Sequence, residues 1–312
     1  MIYLGIDIGG TKCAVIKGRC SEDGNIIIDR KISFPTADLD TTMARIFEYA
    51  DALLPFDRIG ISCGGPLDEE RGLILSPPNL PGFDEAPICD MLKERYGKPT
   101  RLCNDANACA LAEWRFGAGK GSKNMAFLTF GTGLGAGLIL NGKLYSGTNG
   151  NAGEIGHIRL AQNGPMGYGK EGSFEGFCSG GGIARLAQKR AAERIAGGTP
   201  STLGANMGEI AKLTTKDLAE MANAGNEEAK SVFAESAKML GFGLSILIDI
   251  INPEVIVIGS VFARSRGLFE EKMNEVIATE ALGASARVCR IVPALLGDAI
   301  GDVASISVAM EE

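Results

Sequence analysis

Basic residues are scarce in this chain of 312 residues, where 31 lysines and arginines face 38 aspartates and glutamates and leave a formal net charge of −7. A protein that binds nucleic acid is expected to carry a basic surplus or a basic stripe. The one basic run, within residues 185–194, has its charges at helical spacing with Glu193 among them. That pattern is typical of a solvated helix face, so we expect no nucleic-acid partner.

Paired cysteines and long apolar runs are also missing. The eight cysteines form no C-x-x-C pair and no regular spacing, which is typical of a reduced protein without a disulfide framework. The N-terminus has no basic flank, and the longest apolar stretch, 241–251, is interrupted by Ser245 and Asp249. These features predict a cytoplasmic protein with no signal peptide and no membrane partner.

Glycine is the residue in clear excess, with 43 copies. Because glycine has no Cβ, its clusters indicate tight turns and close approach of the backbone to another group. The clusters lie where predicted strands end, at 9–10, 64–65, 131–137, 147–156 and 180–182. Hydrophobic residues make up 45% of the chain, which is enough for a large core.

Strand and helix patterns alternate along the chain. Strands at 2–8 and 125–130 each end in a glycine turn and return as a second strand, which predicts a hairpin at the start of each half. Further strands are predicted at 26–32, 57–62, 73–75, 100–103, 254–258 and 288–292, helices at 41–54, 88–96, 105–116, 182–194, 215–223, 226–251, 267–279 and 299–310, and a long loop at 146–182. This order predicts an α/β protein of two halves that flank a cleft, each with a mixed sheet covered by helices.

The first glycine turn carries the motif Asp7-x-Gly9-Gly10-Thr11-Lys12. Backbone N–H groups of such a turn form a concavity that binds phosphate, to which Thr11 adds a hydroxyl and Lys12 a positive charge. Asp7 ends the strand and is suited to hold Mg²⁺ through water, because magnesium prefers carboxylate oxygens and keeps several waters. A Gly-Gly hairpin with nothing bound is the alternative for this motif alone.

The second glycine turn lies in the segment FGTGLGAG at 130–137. It is not a Walker A motif, since no Gly-Lys-Ser/Thr follows, and a strand rather than a helix follows the glycines, unlike a dinucleotide fingerprint. Two such turns at equivalent places in two halves can grip one polyphosphate. Glycines that serve only sheet packing are the alternative.

Two further segments carry polar side chains suited to a sugar. Asn104 and Asp105 join a predicted strand to a helix, where Asp105 either caps the helix or accepts a proton from an attacking hydroxyl. Glu154 and the only histidine, His157, stand three residues apart in the segment GEIGH, so on a helical turn they share a face. Asn79, in the segment NLPGF, either belongs to a simple turn or brings an amide to a sugar ring.

These motifs, in this order, resemble those of the ROK family (repressors, open reading frames and kinases) over nearly the whole chain. The resemblance implies the actin-like ATPase (ribonuclease H-like) fold, with a small N-terminal α/β domain at 1–116 plus 298–312 and a larger α/β domain at 117–297. It implies ATP and Mg²⁺ as cofactors and a homodimer. It assigns phosphate and nucleotide contacts to Asp7, Gly9, Gly10, Thr11, Lys12, Thr132, Gly133 and Gly259, the catalytic base to Asp105, and sugar contacts to Gly65, Asn79, Asn104, Asp105, Glu154, His157 and Glu175.

One departure from the family pattern concerns zinc. Family members usually hold zinc with the GH histidine and the cysteines of a C-x-C-G-x-x-G-C-x-E segment. Here the three cysteine positions carry Met166, Tyr168 and Ser173, while the glutamate is retained as Glu175. None of these three side chains replaces a thiolate, so we predict no structural zinc and another partner that orients His157.

The resemblance implies an ATP:hexose phosphotransferase of the glucokinase type, with Asp105 taking the proton from a sugar hydroxyl, expected at C6. N-acetylmannosamine, N-acetylglucosamine and allose stay open as substrates, as does a catalytically inactive sugar-binding sensor. A sugar-responsive repressor of the same family carries a helix-turn-helix domain in front. The strand beginning at residue 2 and the acidic charge lead us not to expect one here.

Overall fold

Helices and strands alternate along the computed structural model, which describes residues 1–311. The first part of the chain forms β1 (Ile2–Ile8), β2 (Lys12–Cys20), β3 (Ile26–Pro35), α1 (Leu39–Ala52), β4 (Arg58–Cys63), β5 (Leu67–Asp68), β6 (Leu73–Ile74), α2 (Ile88–Tyr96), β7 (Thr100–Asn104) and α3 (Asp105–Phe116). The rest forms β8 (Met125–Leu128), β9 (Ala136–Leu140), β10 (Lys143–Tyr145), β11 (Met166–Gly167), β12 (Lys170–Glu171), α4 (Phe174–Phe177), α5 (Gly180–Ala196), α6 (Met207–Ile210), α7 (Thr215–Asn223), α8 (Glu227–Ile251), β13 (Val255–Ile258), α9 (Ser260–Ser265), α10 (Glu270–Glu280), α11 (Gly283–Ala286), β14 (Arg290–Pro293) and α12 (Ile300–Ala309).

The chain divides into two compact units. Unit 1 contains Met1–Lys123, Gly137–Ala152 and the chain from Leu295 onward, and unit 2 contains Asn124–Ala136 and Gly153–Ala294. The domain boundaries expected from the family resemblance, near residues 116 and 298, stay a prediction.

A mixed sheet forms the centre of unit 1, with strand order β3-β2-β1-β4-β7. Strands β3, β2 and β1 are antiparallel, whereas β1, β4 and β7 are parallel. Successive side chains of β1 point to opposite faces of the sheet, so Leu4 and Ile6 join the core that α1 and α2 cover, and Tyr3 joins a second cluster with Ile306 of α12. The structure therefore confirms the predicted opening hairpin and the mixed sheet.

Glycines allow α12 to lie directly on this sheet. A Cβ placed on Gly60 of β4 would collide with the backbone nitrogen of Ala309 and the backbone oxygen of Ser305, both in α12. A Cβ on Gly5 of β1 would collide with the side chain of Ser305. The last helix of the chain thus packs on β1 and β4 because these strands carry no side chain at the points of contact.

Three parallel strands run through unit 2 in the order β8-β13-β14. Every residue of β8 and β13 is buried, as expected for strands that are covered on both faces. The long helix α8 packs against α4, α5, α7 and α10. The ring of Phe269 meets those of Phe130, Phe233 and Phe262 at centroid distances of 5.4, 5.4 and 5.9 Å, which fixes the chain after α9 against this core.

Helix α8 is long and apolar enough to cross a membrane by length and composition alone. The structure buries 67% of its most apolar window inside the protein. A helix that is apolar on most sides and packs against several others is typical of a protein core.

The second glycine turn has the predicted reversal, but the loop that follows has more structure than predicted. The N–H of Thr129 donates to the carbonyl of Gly135 over 3.0 Å, and strand β8 ends before Phe130 because that residue has a φ of +35°. The predicted loop at 146–182 contains a 3₁₀ turn (Ile155–His157), the β11–β12 hairpin and α4. These elements are too short to show a periodic pattern in the sequence.

The contact between β4 and α12 yields a stability prediction. We expect Gly60→Ala to lower the free energy of unfolding by about 1–3 kcal/mol, because the added methyl meets backbone atoms that cannot rotate away. The measurement is the midpoint of urea unfolding at a fixed slope. Gly267→Ala is the matched control, since a Cβ at Gly267 meets nothing within 4 Å, and equal midpoints for both variants would contradict the close packing.

Candidate active site

Two hydrogen bonds fix the first glycine turn, which lies in unit 1. The N–H of Gly9 donates to the carbonyl of Lys12 over 3.2 Å, and the hydroxyl of Thr36 donates to the carbonyl of Gly9 over 2.6 Å. Gly10, Thr11 and Lys12 are exposed. The turn therefore presents the backbone and side chains of the predicted phosphate motif to solvent on a rigid support.

Asn79 packs against this turn. A Cβ on Gly10 would lie 2.7 Å from the Cβ of Asn79 and 2.8 Å from its backbone oxygen, so only glycine fits. The structure thereby brings a predicted sugar contact and a predicted phosphate contact together within one unit.

Asn104, at the junction of β7 and α3, caps the N-terminus of α3. Its side-chain oxygen accepts hydrogen bonds from the N–H groups of Ala106 and Asn107, at 2.9 and 3.4 Å, and its own N–H donates to Glu69 over 2.7 Å. Its amide nitrogen lies 3.5 Å from the place of a Cβ on Gly65. Asn104 and Gly65, both predicted sugar contacts, are therefore neighbours, and the cap leaves Asp105 available for another function.

Asp105 begins helix α3 and reaches solvent. One carboxylate oxygen, Oδ1, accepts a hydrogen bond from the N–H of Ala106 over 2.8 Å, while Oδ2 lies 3.8 Å from the place of a Cβ on Gly64. Burial raises the pKa of Asp105 above its ordinary value. An accessible carboxylate can still lie deep among protein atoms, which limits how fully water hydrates its charge.

Asp7 is the centre of a group of charges in unit 1. Burial, together with repulsion from Asp105 and Asp302, raises the pKa of Asp7 to about 6, and the attraction of Lys31 and Lys12 offsets only part of this rise. Lys31 pairs with Asp302 at 2.6 Å. Among residues 1–311, no three His, Cys, Asp or Glu side chains are arranged to hold a metal ion directly, so a cation at Asp7 would keep water in its shell.

The second glycine turn, in unit 2, has an equally close neighbour. The N–H of Leu134 donates to Oε2 of Glu175 over 3.0 Å, and a Cβ on Gly133 would lie 2.8 Å from the same oxygen. Thr132 is exposed at the tip of the turn. The structure therefore gives Glu175, a predicted sugar contact, a hydrogen bond to the predicted phosphate turn.

Gly259 lies beside this turn as well. Its N–H donates to the carbonyl of Leu128 over 2.9 Å, and a Cβ on Gly259 would lie 3.2 Å from the carbonyl oxygen of Thr129. The next residue, Ser260, has a φ of +46°, a left-handed conformation that favours glycine. The family that the motifs resemble usually has a second glycine at this position, and Ser260 adopts a backbone conformation that suits glycine.

Glu154, which precedes the 3₁₀ turn, and His157, which ends it, come together. Nε2 of His157 lies 4.0 Å from Oε2 of Glu154, and both side chains are partly exposed. The ring of His157 also meets the ring of Tyr168 edge to face, at a centroid distance of 4.7 Å and an angle of 71°. Sequence reasoning missed both Tyr168 and Asp302 as neighbours of site residues, because neither contact follows from spacing along the chain.

Zinc does not fit the segment at 166–175. Met166 and Tyr168 are exposed side chains without a thiolate, and the hydroxyl of Ser173 donates to the carbonyl of Gly167 over 3.3 Å and accepts the N–H of Gly176 over 3.1 Å. A zinc site needs several thiolate, imidazole or carboxylate donors at one point. The donor set of this segment does not supply them.

Comparison with known proteins finds sugar kinases. The sequence profile of the ROK family matches residues 3–311. The chain is 37% identical to a glucokinase of Halalkalibacterium halodurans over 82% of this chain and 79% of the relative. It is 31% identical to an N-acetylmannosamine kinase of Salmonella typhi over 87% of each chain.

A solved structure is similar over its full length. The ROK family glucokinase of Streptomyces griseus in complex with glucose and AMPPNP aligns with a TM-score of 0.77 and 30% identity, covering 100% of both chains. The predicted actin-like ATPase (ribonuclease H-like) fold is thereby confirmed. The comparisons support a sugar kinase that uses ATP and leave the choice between glucose and N-acetylmannosamine open.

The raised pKa of Asp7 yields a pH-dependent stability prediction. In the unfolded chain Asp7 titrates near 3.8 and in the folded protein near 6, so the folded state binds the extra proton. The stability that this group contributes is present below about pH 4 and is lost as pH rises through about 6. As the pH rises between these limits, we expect the free energy of unfolding of Asp7→Asn to increase by on the order of 2–3 kcal/mol relative to that of wild type.

The measurement is urea unfolding of both proteins across that pH range. Asp23→Asn, at an exposed position in the turn after β2, is the control for a change of one charge. A difference between Asp7→Asn and wild type that does not change with pH would contradict the burial of this carboxylate.

Proposed function

Because the chain belongs to the ROK family, we propose that it is an ATP-dependent hexose kinase that transfers the γ-phosphate of ATP to a sugar hydroxyl. The proposed acceptor is the 6-hydroxyl of glucose or of a closely related hexose.

The observation that carries the proposal is the contact between Gly10 and Asn79 in the unit that also holds Asp105. The proposed phosphate turn packs directly on Asn79, whose Cβ lies 2.7 Å and whose backbone oxygen lies 2.8 Å from the place of a Cβ on Gly10. The charge of Asp105 also acts on Asp7, at the end of the strand that leads into the turn. Phosphoryl transfer requires such proximity, since positioning and charge neutralisation supply most of the catalysis.

Asp105 is the proposed general base. Asn104 takes over the capping of α3, and the pKa of Asp105 is raised by burial. A carboxylate with a raised pKa is a stronger base than one at the ordinary value. In the proposed reaction an oxygen of Asp105 receives the proton of the sugar hydroxyl as that hydroxyl attacks the γ-phosphorus, while the bond from this phosphorus to the β,γ-bridging oxygen breaks and ADP leaves with that oxygen.

The two glycine turns are the proposed phosphate contacts, with Gly9, Gly10, Thr11 and Lys12 in unit 1 and Thr132 and Gly133 in unit 2. Gly259 is proposed to contact the nucleotide. Asp7 is proposed to hold Mg²⁺ through water or phosphate, and the repulsion between Asp7, Asp105 and Asp302 is the feature that fits a cation there. When bound, Mg²⁺ neutralises charge on the transferred phosphoryl group.

The proposed sugar contacts are Gly65, Asn79, Asn104, Asp105, Glu154, His157 and Glu175. Carboxylates accept hydrogen bonds from hydroxyls, and amides donate and accept them, so this set suits a polyol. The relatives include both a glucokinase, at 37% identity, and an N-acetylmannosamine kinase, at 31% identity. N-acetylglucosamine and allose are the further alternative substrates, and a catalytically inactive sugar sensor is the alternative function.

The proposal includes a homodimer in the cytoplasm. The homodimer rests on the family resemblance. The cytoplasmic location rests on the free cysteines and on the acidic net charge of the chain.

Replacement of the proposed base tests the function. We expect Asp105→Asn to lower kcat by about 10²–10⁴-fold, since the amide cannot accept the proton, while the affinity for sugar changes little. The measurement is coupled ADP release with glucose, N-acetylmannosamine, N-acetylglucosamine and allose, together with calorimetric titration of the sugar that is turned over.

Asp40→Asn, an exposed aspartate in the first turn of α1, is the matched control and should keep the wild-type rate. A wild type that binds sugar without releasing ADP would establish the sensor instead. Full turnover by Asp105→Asn would rule out Asp105 as the base.

A further inference from the structure

We propose that Tyr168 positions the imidazole of His157, so that protein contacts alone fasten the segment 157–175 in place of a metal ion. The inference rests on the proposed function only in treating His157 as a sugar contact.

The first support is the double contact between the β11–β12 hairpin and His157. Tyr168, at the tip of that hairpin, meets the imidazole edge to face at 4.7 Å. Nζ of Lys170, on the returning strand, donates a hydrogen bond to the backbone carbonyl of His157 over 2.6 Å. The hairpin therefore holds both the ring and the backbone of the histidine.

The second support is the backbone at Tyr168. Its φ is +44° and that of Gly169 is +73°, as in the two-residue hairpin turns that usually carry asparagine or glycine at the first position. A tyrosine there costs free energy relative to those residues. Because 68% of Tyr168 is exposed, burial of the side chain does not offset this cost. The ring contact with His157 is the interaction that explains a tyrosine at this position.

The third support is the way in which the hairpin is anchored. The hydroxyl of Ser173 joins the carbonyl of Gly167 to the N–H of Gly176. Nε of Arg185 donates to the carbonyl of Met166 over 3.0 Å, and the N–H of Phe174 donates to the carbonyl of Ile158 over 2.8 Å. All three positions at which the family pattern has a cysteine thus take part in contacts of the polypeptide itself.

These contacts continue to the phosphate turn. Ser173 caps α4, and α4 carries Glu175, whose Oε2 accepts the N–H of Leu134. Within this series of contacts, Tyr168 enters at the far end, through its ring contact with His157. A loss of the tyrosine ring should therefore weaken sugar binding and leave the binding of ATP unchanged.

The single histidine of the chain allows a direct spectroscopic test. In the untagged full-length protein labelled with isotopic histidine, every histidine ring signal belongs to His157. The edge-to-face tyrosine should displace these signals by its ring current. We expect Tyr168→Ala to abolish the displacement, Tyr168→Phe to keep it, and zinc added to wild type to leave the signals in place.

Kinetics and metal analysis complete the test. We expect Tyr168→Ala to raise the KM for sugar about tenfold with little change in kcat or in the KM for ATP, as for loss of a group that orients a ligand-binding histidine. Tyr168→Phe should restore the wild-type KM, and Tyr145→Ala, a similarly exposed tyrosine in β10, should not change it. The purified wild type should contain far less than one zinc per chain.

Each contrary result overturns the inference. Unchanged histidine signals in Tyr168→Ala, a sugar KM that Tyr168→Phe fails to restore, or one bound zinc per chain would do so. The spectra and the zinc content require no catalysis, so they decide the inference even if the chain proves not to be a kinase.

Discussion

In each unit, a glycine turn touches the residue that faces it so closely that no side chain fits between them. In unit 1 the pair is Gly10 and Asn79, and in unit 2 it is Gly133 and Glu175, with distances of 2.7 and 2.8 Å from the place of a Cβ. The rest of each half-site depends on this contact. If the proposed phosphate turn and the proposed sugar contact act together, they must hold a fixed distance, and direct packing of one on the other sets it.

This arrangement concentrates negative charge in unit 1. Asp7 and Asp105 both have a raised pKa, and Asp302, one turn into α12, adds its charge to theirs. The Lys31–Asp302 ion pair offsets part of the repulsion. Charges of one sign that lie close together and have a raised pKa are typical of functional sites, and they fit the cation and the sugar hydroxyl of the proposed reaction.

Sequence reasoning recovered the strands and helices that have a clear periodic pattern, and missed what depends on contacts distant in the chain. The bounds of β1, α2 and α3 were predicted to the residue, because alternation or helical spacing ends there at a glycine or a cap. Asparagine and aspartate are equally good caps, so the sequence could not decide that Asn104 caps α3 and leaves Asp105 available. Likewise, nothing in the spacing indicates that Glu175 accepts the N–H of Leu134, 41 positions away.

The segment 157–175 shows why such contacts matter for a binding site. A zinc ion fixes several chain segments at one point, largely independent of the residues between the ligands. Without it, the same order must come from separate contacts, such as the Ser173 hydroxyl, the Lys170 ammonium and the Tyr168 ring, each of which contributes about 0.5–1.5 kcal/mol. Such a segment opens locally more readily than a metal-held one. On the proposal that Tyr168 positions His157, control of the histidine passes from a single ion to residues that can vary one at a time, independently of Asp105 and the glycine turns.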